Sequence, residues 1–500
     1  MLYATSPASF DEPRQEDVAS KFRIDPLREA LASETFAQLL QDIWEPPTCF
    51  EAPAGNPGLG LGLRQGGESL VDLLDELREK VVRHAVHTRH VWALAHMTPP
   101  PATASVLADF LVGALNQCAF IWEEAPLAQA LEAETVAWLA RRLRWSDQAS
   151  GLLTAGGTLS NCMAAYLALA HSRKRLGKAE GFAVIASDQA HLSVRKAAAF
   201  IGAGADAVVC ARTDAEGRLI PGQVAAAAAQ ARRMGRRPFL FVCTAGTSNT
   251  GVLEPPEEFL EQALAHQAWC HIDASHGGLV ALGSRPHPAL AAWAEADSIS
   301  WDPHKSLYVS FAVGALLLRD ASLQEPLKFH AEYALKHDES VADPGSWHLE
   351  GSRRLEALKL WMVIRHLGDE GLDELTDHSL ALAGALADCI RRTPDFRLVT
   401  SPDTNIVCFR FDDPALDAAA LDAVNAKVQQ ILYRSGGPLI SSTRVGGRVV
   451  LRTVLLNPHL ETRHLPEILQ IVRDEARRQT DALLGRMPKR LAHCERSPRP

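Results

Sequence analysis

FLFVCTAGTSNTGVLEPPEEFLEQALAHQAWCHIDASHGG, residues 239–278, contains one turn of the pattern that sets the fold. A short apolar run (FLFVCT, 239–244) gives way to a polar, glycine-containing loop and a helical stretch, and a second apolar run (WCHIDA, 269–274) follows. Runs of this length, without alternating polar residues, belong to strands buried on both faces. The pattern continues in both directions, through FAVIAS (182–187) and DAVVCA (206–211) upstream and GALLLR (314–319) downstream. Amphipathic or alanine-rich stretches such as VAAAAAQARRM (224–234) separate them. Buried strands alternating with helices predict a mostly parallel α/β sheet with helices on both faces.

Further out the pattern changes. From about 68 to 145, LVDLLDELREKVVRHAV and ASVLADFLVGALNQCAF space their apolar residues by three and four, as helices do. After LEALKLWMVIRHL (355–367) a helical stretch runs to Arg392, and FRLVT, NIVCFRF, GGPLI and GGRVVLRTVL then read as strands. With helices at about 416–433 and 463–484, they predict a smaller α+β domain. The expected organisation is a helical segment over 1–110, a large domain over 111–375, a small domain over 376–485 and a disordered tail over 486–500. EAPAGNPGLGLG (51–62) reads as a linker, since no strand precedes its glycines.

Bulk properties narrow the function. Five hundred residues exceed one ordinary core. A formal charge of −9 argues against a general nucleic-acid binder. Nine cysteines stand singly, with no CxxC pair, and several lie in apolar runs, which fits reduced thiols better than a disulfide framework. The first residues lack a basic region followed by an apolar stretch, and no apolar run approaches the ~20 residues needed to span a bilayer. A cytoplasmic protein is expected. Among His84, His87, His90 and His96 a three-residue spacing can put two on one helical face, but no cysteine or carboxylate completes a set, so no metal is expected.

Four places carry chemistry. In SISWDPHKSLYV (298–309), Lys305 sits between a strand end and another apolar run, where a lysine is costly unless its charge is relieved or it is covalently modified. A lysine that condenses with an aldehyde fits that placement, and an exposed loop lysine is the alternative. In WCHIDASHGG (269–278), Asp273 closes a buried strand. Pyridoxal phosphate (PLP) needs an anion there to keep its ring nitrogen protonated; a helix cap or structural ion pair is the plainer reading. In GLLTAGGTLSNCMAAYLALA (151–170), Gly156, Gly157 and Thr158 lie between an apolar run and a helix, a turn suited to a phosphate dianion. In SDQAHLSVRKAAAF (187–200), His191 follows a strand and opens a helix, placed to stack on a flat ring or simply to cap. Most of these signals follow a strand end, where open α/β sheets bind their ligands.

Together TAGGTLSN, HLSVRKA, CTAGTSNTG (243–251), HIDASHGG, DPHK, SRRLEALKLW (352–361) and LRTVLLNP (451–458) resemble the motifs of the group II PLP-dependent amino-acid decarboxylases, over roughly 70–475. That family includes glutamate, aromatic-amino-acid, cysteine-sulfinate and 2,4-diaminobutyrate decarboxylases. The resemblance implies the PLP-dependent transferase fold type I, aspartate-aminotransferase-like, with a mostly parallel seven-stranded sheet and a smaller C-terminal α+β domain. It implies Lys305 as the cofactor lysine, Asp273 at the ring nitrogen and His191 on the ring. It further implies Thr158, His304, Asp302 and Ser300 at the phosphate corner, and Ser248 near the ring. Tyr333, in KFHAEYALKHDESVADPGSWHLEG (328–351), is similar to the residue that returns a proton to the substrate carbon after CO₂ leaves.

A homodimer is implied too, with the N-terminal segment at its interface. Residues 90–126 resemble the stretch lining the substrate pocket, which points to Thr98, Asn116 and Gln117 as substrate contacts. The acidic pair Glu123 and Glu124 favours a cationic side chain, hence L-2,4-diaminobutyrate giving 1,3-diaminopropane. Alternatives are a glutamate or aromatic substrate, an aldehyde synthase or aminotransferase reaction on the same scaffold, or a non-catalytic relative. Intact Lys305, Asp273 and His191 speak against the last. Two departures stand out: Ser275-His276, where the family usually has Ala-Tyr, and Ser248 in place of a threonine.

Overall fold

The five runs that read as buried strands, together with SGLLT and SISW, assemble into one sheet in the computed structural model, which describes residues 24–46, 48–50, 66–176, 181–285, 287–329 and 344–486. In chain order they are β1 (Ser150–Thr154), β2 (Phe182–Ser187), β3 (Val208–Ala211), β4 (Arg237–Thr244), β5 (Trp269–Asp273), β6 (Ser298–Trp301) and β7 (Gly314–Leu318). Their spatial order is β1-β7-β6-β5-β4-β2-β3. The ladders from β6 through β5, β4 and β2 to β3 are parallel, while β7 runs antiparallel to both of its neighbours. Between β6 and β7 the chain makes only the one-turn helix Pro303–Ser306 before returning, and a parallel crossover needs a full helix. The sheet is therefore mostly parallel, as expected, with β7 as the exception.

Period-two alternation explains the two-sided core. On β2, Ala183 and Ile185 face one cluster while Phe182, Val184 and Ala186 face the other. Helices Ala128–Arg142, Gln223–Arg233 and Pro256–His266 supply residues to the first face, and Gly157–Leu176 and Leu192–Phe200 cover the second. Glu132, buried in the first group, accepts from the Leu153 amide at 2.7 Å, Arg353 at 2.9 Å and His348 at 3.1 Å, tying the segment after Pro344 to the sheet.

Glu356–Arg392 joins the two halves, broken at Gly368 (φ 67°, ψ 177°), a conformation that glycine adopts without strain. Its Leu360, Val363 and Leu372 pack in the large core, and Leu382, Leu386 and Ile390 in the small one. The small sheet is antiparallel, in the order β10-β11-β9-β8, from β8 (Phe396–Leu398), β9 (Ile406–Phe411), β10 (Ser441–Val445) and β11 (Arg448–Val454). One strand expectation fails. GGPLI is not a strand of this sheet; only Leu439 makes an isolated bridge, to Ala93. Pro438 has no N–H to donate, and the strand is the polar segment that follows it. Residues 88–95 lie against this small unit, where Asn457 donates to the carbonyls of Thr88, Arg89 and His90.

The expected linker at 51–62, the tail from 487 and Tyr333 lie outside the described residues. Among the described residues no helix is long and apolar enough to cross a membrane.

Candidate active site

Because β1, β2, β4, β5 and β6 point the same way, their carboxyl ends open on one crevice. A cavity of about 280 Å³ lies there, lined by Gly156, Gly157, Thr158, His191, Ser248, Asp273, His304 and Lys305. Ser300 sits one layer back and reaches the cavity through Asp273, to which its hydroxyl donates at 3.1 Å. Ala155, Thr244, Gly246, Ser275, His276, Asp302, Phe311 and Ala312 complete the wall.

Asp273 ends β5 and is 4 % exposed. Three donors meet its Oδ1: the Ser275 hydroxyl at 2.6 Å, the Ser275 amide at 3.2 Å and the Ser300 hydroxyl. Among the described residues Oδ2 accepts only from Asn161 Nδ2, at 2.8 Å, which leaves it capacity for one more donor. Burial pushes the Asp273 carboxyl up, but Ser275, the neighbouring His271, Asn161 and Lys305 outweigh it and hold the group below the usual carboxylate range.

That carboxylate fixes a chain of hydrogens. A carboxylate only accepts, so the Asn161 nitrogen faces it and Asn161 Oδ1 faces His271 Nε2 at 2.9 Å. His271 Nε2 must then carry the hydrogen. Burial lowers the His271 pKa to about 4, so the ring is neutral and its Nδ1 accepts from the Ser298 hydroxyl at 2.7 Å. Ser298 in turn accepts from Trp269 Nε1 at 2.8 Å. The second Asn161 hydrogen goes to Ser193 Oγ at 2.8 Å. Ser193 presents its hydroxyl at 2.9 Å and its amide at 3.3 Å to His191 Nδ1. An amide N–H only donates, so Nδ1 is bare and neutral His191 carries its hydrogen on Nε2. Burial depresses the pKa of this ring as well.

Lys305, on the one-turn helix after β6, has Nζ 2.9 Å from Asp302 Oδ2. Asp302 Oδ1 is buried without a partner among the described residues. His304 donates from Nδ1 to the Val313 carbonyl at 2.7 Å, and burial lowers its pKa. Opposite them Gly156 turns at φ 116° into helix Gly157–Leu176, whose first N–H groups have no partner within the helix. A Cβ on Gly157 would lie 2.3 Å from Ser275 Oγ, so glycine there keeps that hydroxyl in place.

This set fits pyridoxal phosphate: an amine for its aldehyde, an ionised carboxylate with one open oxygen for its ring nitrogen, a flat neutral imidazole, and a glycine turn at a helix N-terminus beside a histidine for its phosphate.

Thr98, Asn116 and Gln117 do not line the cavity of the single chain. Asn116 is exposed and ends helix Thr103–Leu115 in the left-handed region (φ 47°), and Thr98 and Gln117 are half-buried. Glu123 and Glu124 are exposed. Sequence reasoning missed Thr244, Gly246, Asn161, His271 and Ser193, and noted His276 only as a departure. His276 donates from Nε2 to Asn405 Oδ1 at 2.8 Å and so bridges to the small unit.

Comparison with known proteins agrees. The pyridoxal-dependent decarboxylase conserved domain matches residues 57–412. An L-2,4-diaminobutyrate decarboxylase of Rhizobium meliloti (strain 1021) is 33% identical over 418 residues, covering 83% of this chain and 84% of the relative. The crystal structure of the glutamate decarboxylase domain of diaminobutyrate-pyruvate transaminase and L-2,4-diaminobutyrate decarboxylase from Vibrio parahaemolyticus superposes with a TM-score of 0.82 at 26% identity, covering 93% of this chain and all of that one. The Oryza sativa TDC structure, solved with PLP and tryptamine, gives 0.83 at 25%, covering 94% and 99%. The chain belongs to the pyridoxal-dependent decarboxylase family, the amino-acid carboxy-lyases that work with pyridoxal 5′-phosphate.

Proposed function

We propose that the protein removes the α-carboxylate of L-2,4-diaminobutyrate, giving 1,3-diaminopropane and CO₂. The observation that carries the catalytic part is the convergence of Lys305, Asp273, His191 and the Gly156–Thr158 turn on one cavity. The substrate part rests on the likeness to proteins named as L-2,4-diaminobutyrate decarboxylases.

When bound, the cofactor supplies an aldehyde for the substrate amine and a ring that draws electrons from the α-carbon. Lys305 Nζ would hold the cofactor through that aldehyde. Asp273 Oδ2 would accept a hydrogen bond from the ring N–H. His191 would pack against the ring, with the hydrogen on its Nε2 available to the ligand. His304 has committed its Nδ1 hydrogen to Val313. His304, beside the glycine turn, would help hold the cofactor's phosphate. Thr158 and the turn amides would hold the phosphate, with Ser248 near the ring and Ser300 behind Asp273. Tyr333 returns the proton to the α-carbon, a role that rests on sequence likeness.

The protein acts as a homodimer in this reading. Helix Thr103–Leu115 exposes Leu107, Phe110, Leu111 and Leu115, and Leu127 nearby is 71% exposed, an apolar face suited to a second copy. Asn116 and Gln117 directly follow that helix, and with Thr98 they would reach the substrate once the face is covered. The cysteines among the described residues are unpaired and scattered, five of them buried, which suits a reducing cytoplasm.

The test offers the PLP-loaded protein a panel of amino acids and measures CO₂ and amine. L-2,4-Diaminobutyrate should turn over fastest, ahead of glutamate and aromatic substrates. Lys305→Ala should be nearly inactive and Tyr333→Phe should form amine far more slowly. Preference for glutamate or an aromatic substrate overturns the substrate, and an active Lys305→Ala overturns the centre.

A further inference from the structure

We infer that Ser275 is a positioning residue for the protonation state of the cofactor ring: its hydroxyl fills Oδ1 of Asp273, keeps that carboxylate ionised, and leaves Oδ2 as the oxygen that faces the ring nitrogen. The inference rests on the proposed pairing of Asp273 with that nitrogen.

A carboxylate and a pyridine nitrogen share one proton between two arrangements. In one the proton is on the ring and both groups are charged; in the other it is on the carboxyl and both are neutral. Burial favours the neutral pair, because a low-polarity interior penalises separated charges. Asp273 is among the most buried carboxylates of the chain, so burial alone would draw the proton off the ring. Donors to the carboxylate oppose that, since each hydrogen bond stabilises the anion and is lost or weakened when the oxygen takes a proton.

Ser275 gives two of the four donors, and its hydroxyl makes the shortest of them at 2.6 Å. That hydrogen has one competing acceptor, Ser300 Oγ at 3.3 Å, and a charged oxygen at 2.6 Å wins. Steric constraint holds the hydroxyl there. Ser275 Oγ abuts the Gly157 Cα, where even a Cβ would lie 2.3 Å away. The turn read as the phosphate site and the carboxylate read as the ring site are thus joined through one serine side chain. Three donors on Oδ1 against one on Oδ2 also give the carboxylate a direction, with its open lone pair on the Oδ2 side.

The experiment loads wild type, Ser275→Ala and Asp273→Asn with PLP carrying ¹⁵N in the ring and follows the ring-nitrogen NMR shift against pH. Wild type should hold the pyridinium shift through neutral pH. Ser275→Ala should lose the ring proton at a pH lower by about one unit, the size of one hydrogen bond to a charged group. A second measurement needs no cofactor. The Asp273 carboxyl ¹³C signal of the apo protein, identified by its absence in Asp273→Asn, should titrate higher in Ser275→Ala than in wild type. Wild-type titrations in both measurements overturn the role of Ser275. A ring that stays protonated in Asp273→Asn instead overturns the pairing on which the inference stands, so the two failures are told apart.

Discussion

Two carboxylates stand at the same end of the sheet and at the same depth, yet hold their protons in opposite ways. Asp273, closing β5, and Glu254, in the loop that follows β4, are 4% and 2% exposed. Asp273 has four donors and stays below the usual carboxylate range despite its burial. Glu254 accepts the Thr244 amide on Oε2 at 2.7 Å and has the Ser187 side chain beside it, but its Oε1 makes no close hydrogen bond among the described residues, and burial outweighs these donors and pushes the group up to about 7. Depth is common to both. Donors and neighbouring charges differ: Asp273 has four donors with His271 and Lys305 close by, whereas Glu254 has fewer donors and faces Asp188 and Asp273 as like charges, and this balance sets which carboxyl is held lower. A buried carboxylate that is kept charged by dedicated donors marks a place where the charge has work to do.

Breaking that distinction at its stronger end has the largest expected effect. Asp273→Asn preserves shape and removes the charge, and kcat should fall roughly a thousandfold, in the range seen when one electrostatic partner of a reacting group is lost. Thermal stability should change little by comparison. A variant within tenfold of wild type would show that the donors around Asp273 serve only the fold. A third buried carboxylate sharpens the contrast. Glu132 is also held low against its burial, here by His348, Arg353 and the Leu153 amide, and it lines no part of the cavity. Arg353→Met should therefore cost stability, roughly 3–5 kcal/mol as for other broken buried pairs, with the remaining folded protein still binding PLP. Urea unfolding and cofactor titration separate the two effects.

The same reasoning explains what the sequence could disclose. FAVIAS, FLFVCT and WCHIDA were legible because strands covered on both faces leave unbroken apolar runs. The direction of β7 was not legible, since GALLL is wholly buried whichever way it runs. SSTRV escaped notice because β10 is an edge strand whose exposed positions alternate with half-buried ones, and nothing apolar marks it before Val445. In the site, Lys305, Asp273 and His191 stood out as polar groups at the ends of apolar runs. Asn161 and His271 did not, because their meaning comes from a contact between a helix and a strand 110 residues apart. Thr98, Asn116 and Gln117 came from family likeness alone, and a single chain does not bring them to the cavity.

Glu254 offers the pH-dependent test. Its pKa lies near 4.5 when unfolded and about 7 when folded, so below 4.5 both states are protonated and nothing is lost. As pH rises from 4.5 towards 7 the unfolded chain ionises while the folded one resists, and stability falls by up to about 3 kcal/mol. Glu254→Gln lacks that ionisation. Its unfolding free energy should fall less than wild type between pH 5 and 7, and the two should run parallel above 8. Parallel curves throughout would mean that Glu254 is ionised in its loop and that the balance of donors and charges does not separate it from Asp273.

The smallest effect tests whether donors count by number or by strength. Ser300 approaches the same Asp273 oxygen as Ser275, but at 3.1 Å instead of 2.6 Å. If strength matters, Ser300→Ala should lower the pH at which the ring proton is lost by less than Ser275→Ala does, and reduce kcat by no more than about fivefold. Ser300 is fully buried on β6, so a melting temperature must accompany the measurement to register the small cavity left by the lost hydroxyl. Equal shifts in the two variants would make Oδ1 a simple tally of hydrogens. A larger shift in Ser300→Ala would move the main support of the carboxylate from the loop after β5 to the neighbouring strand.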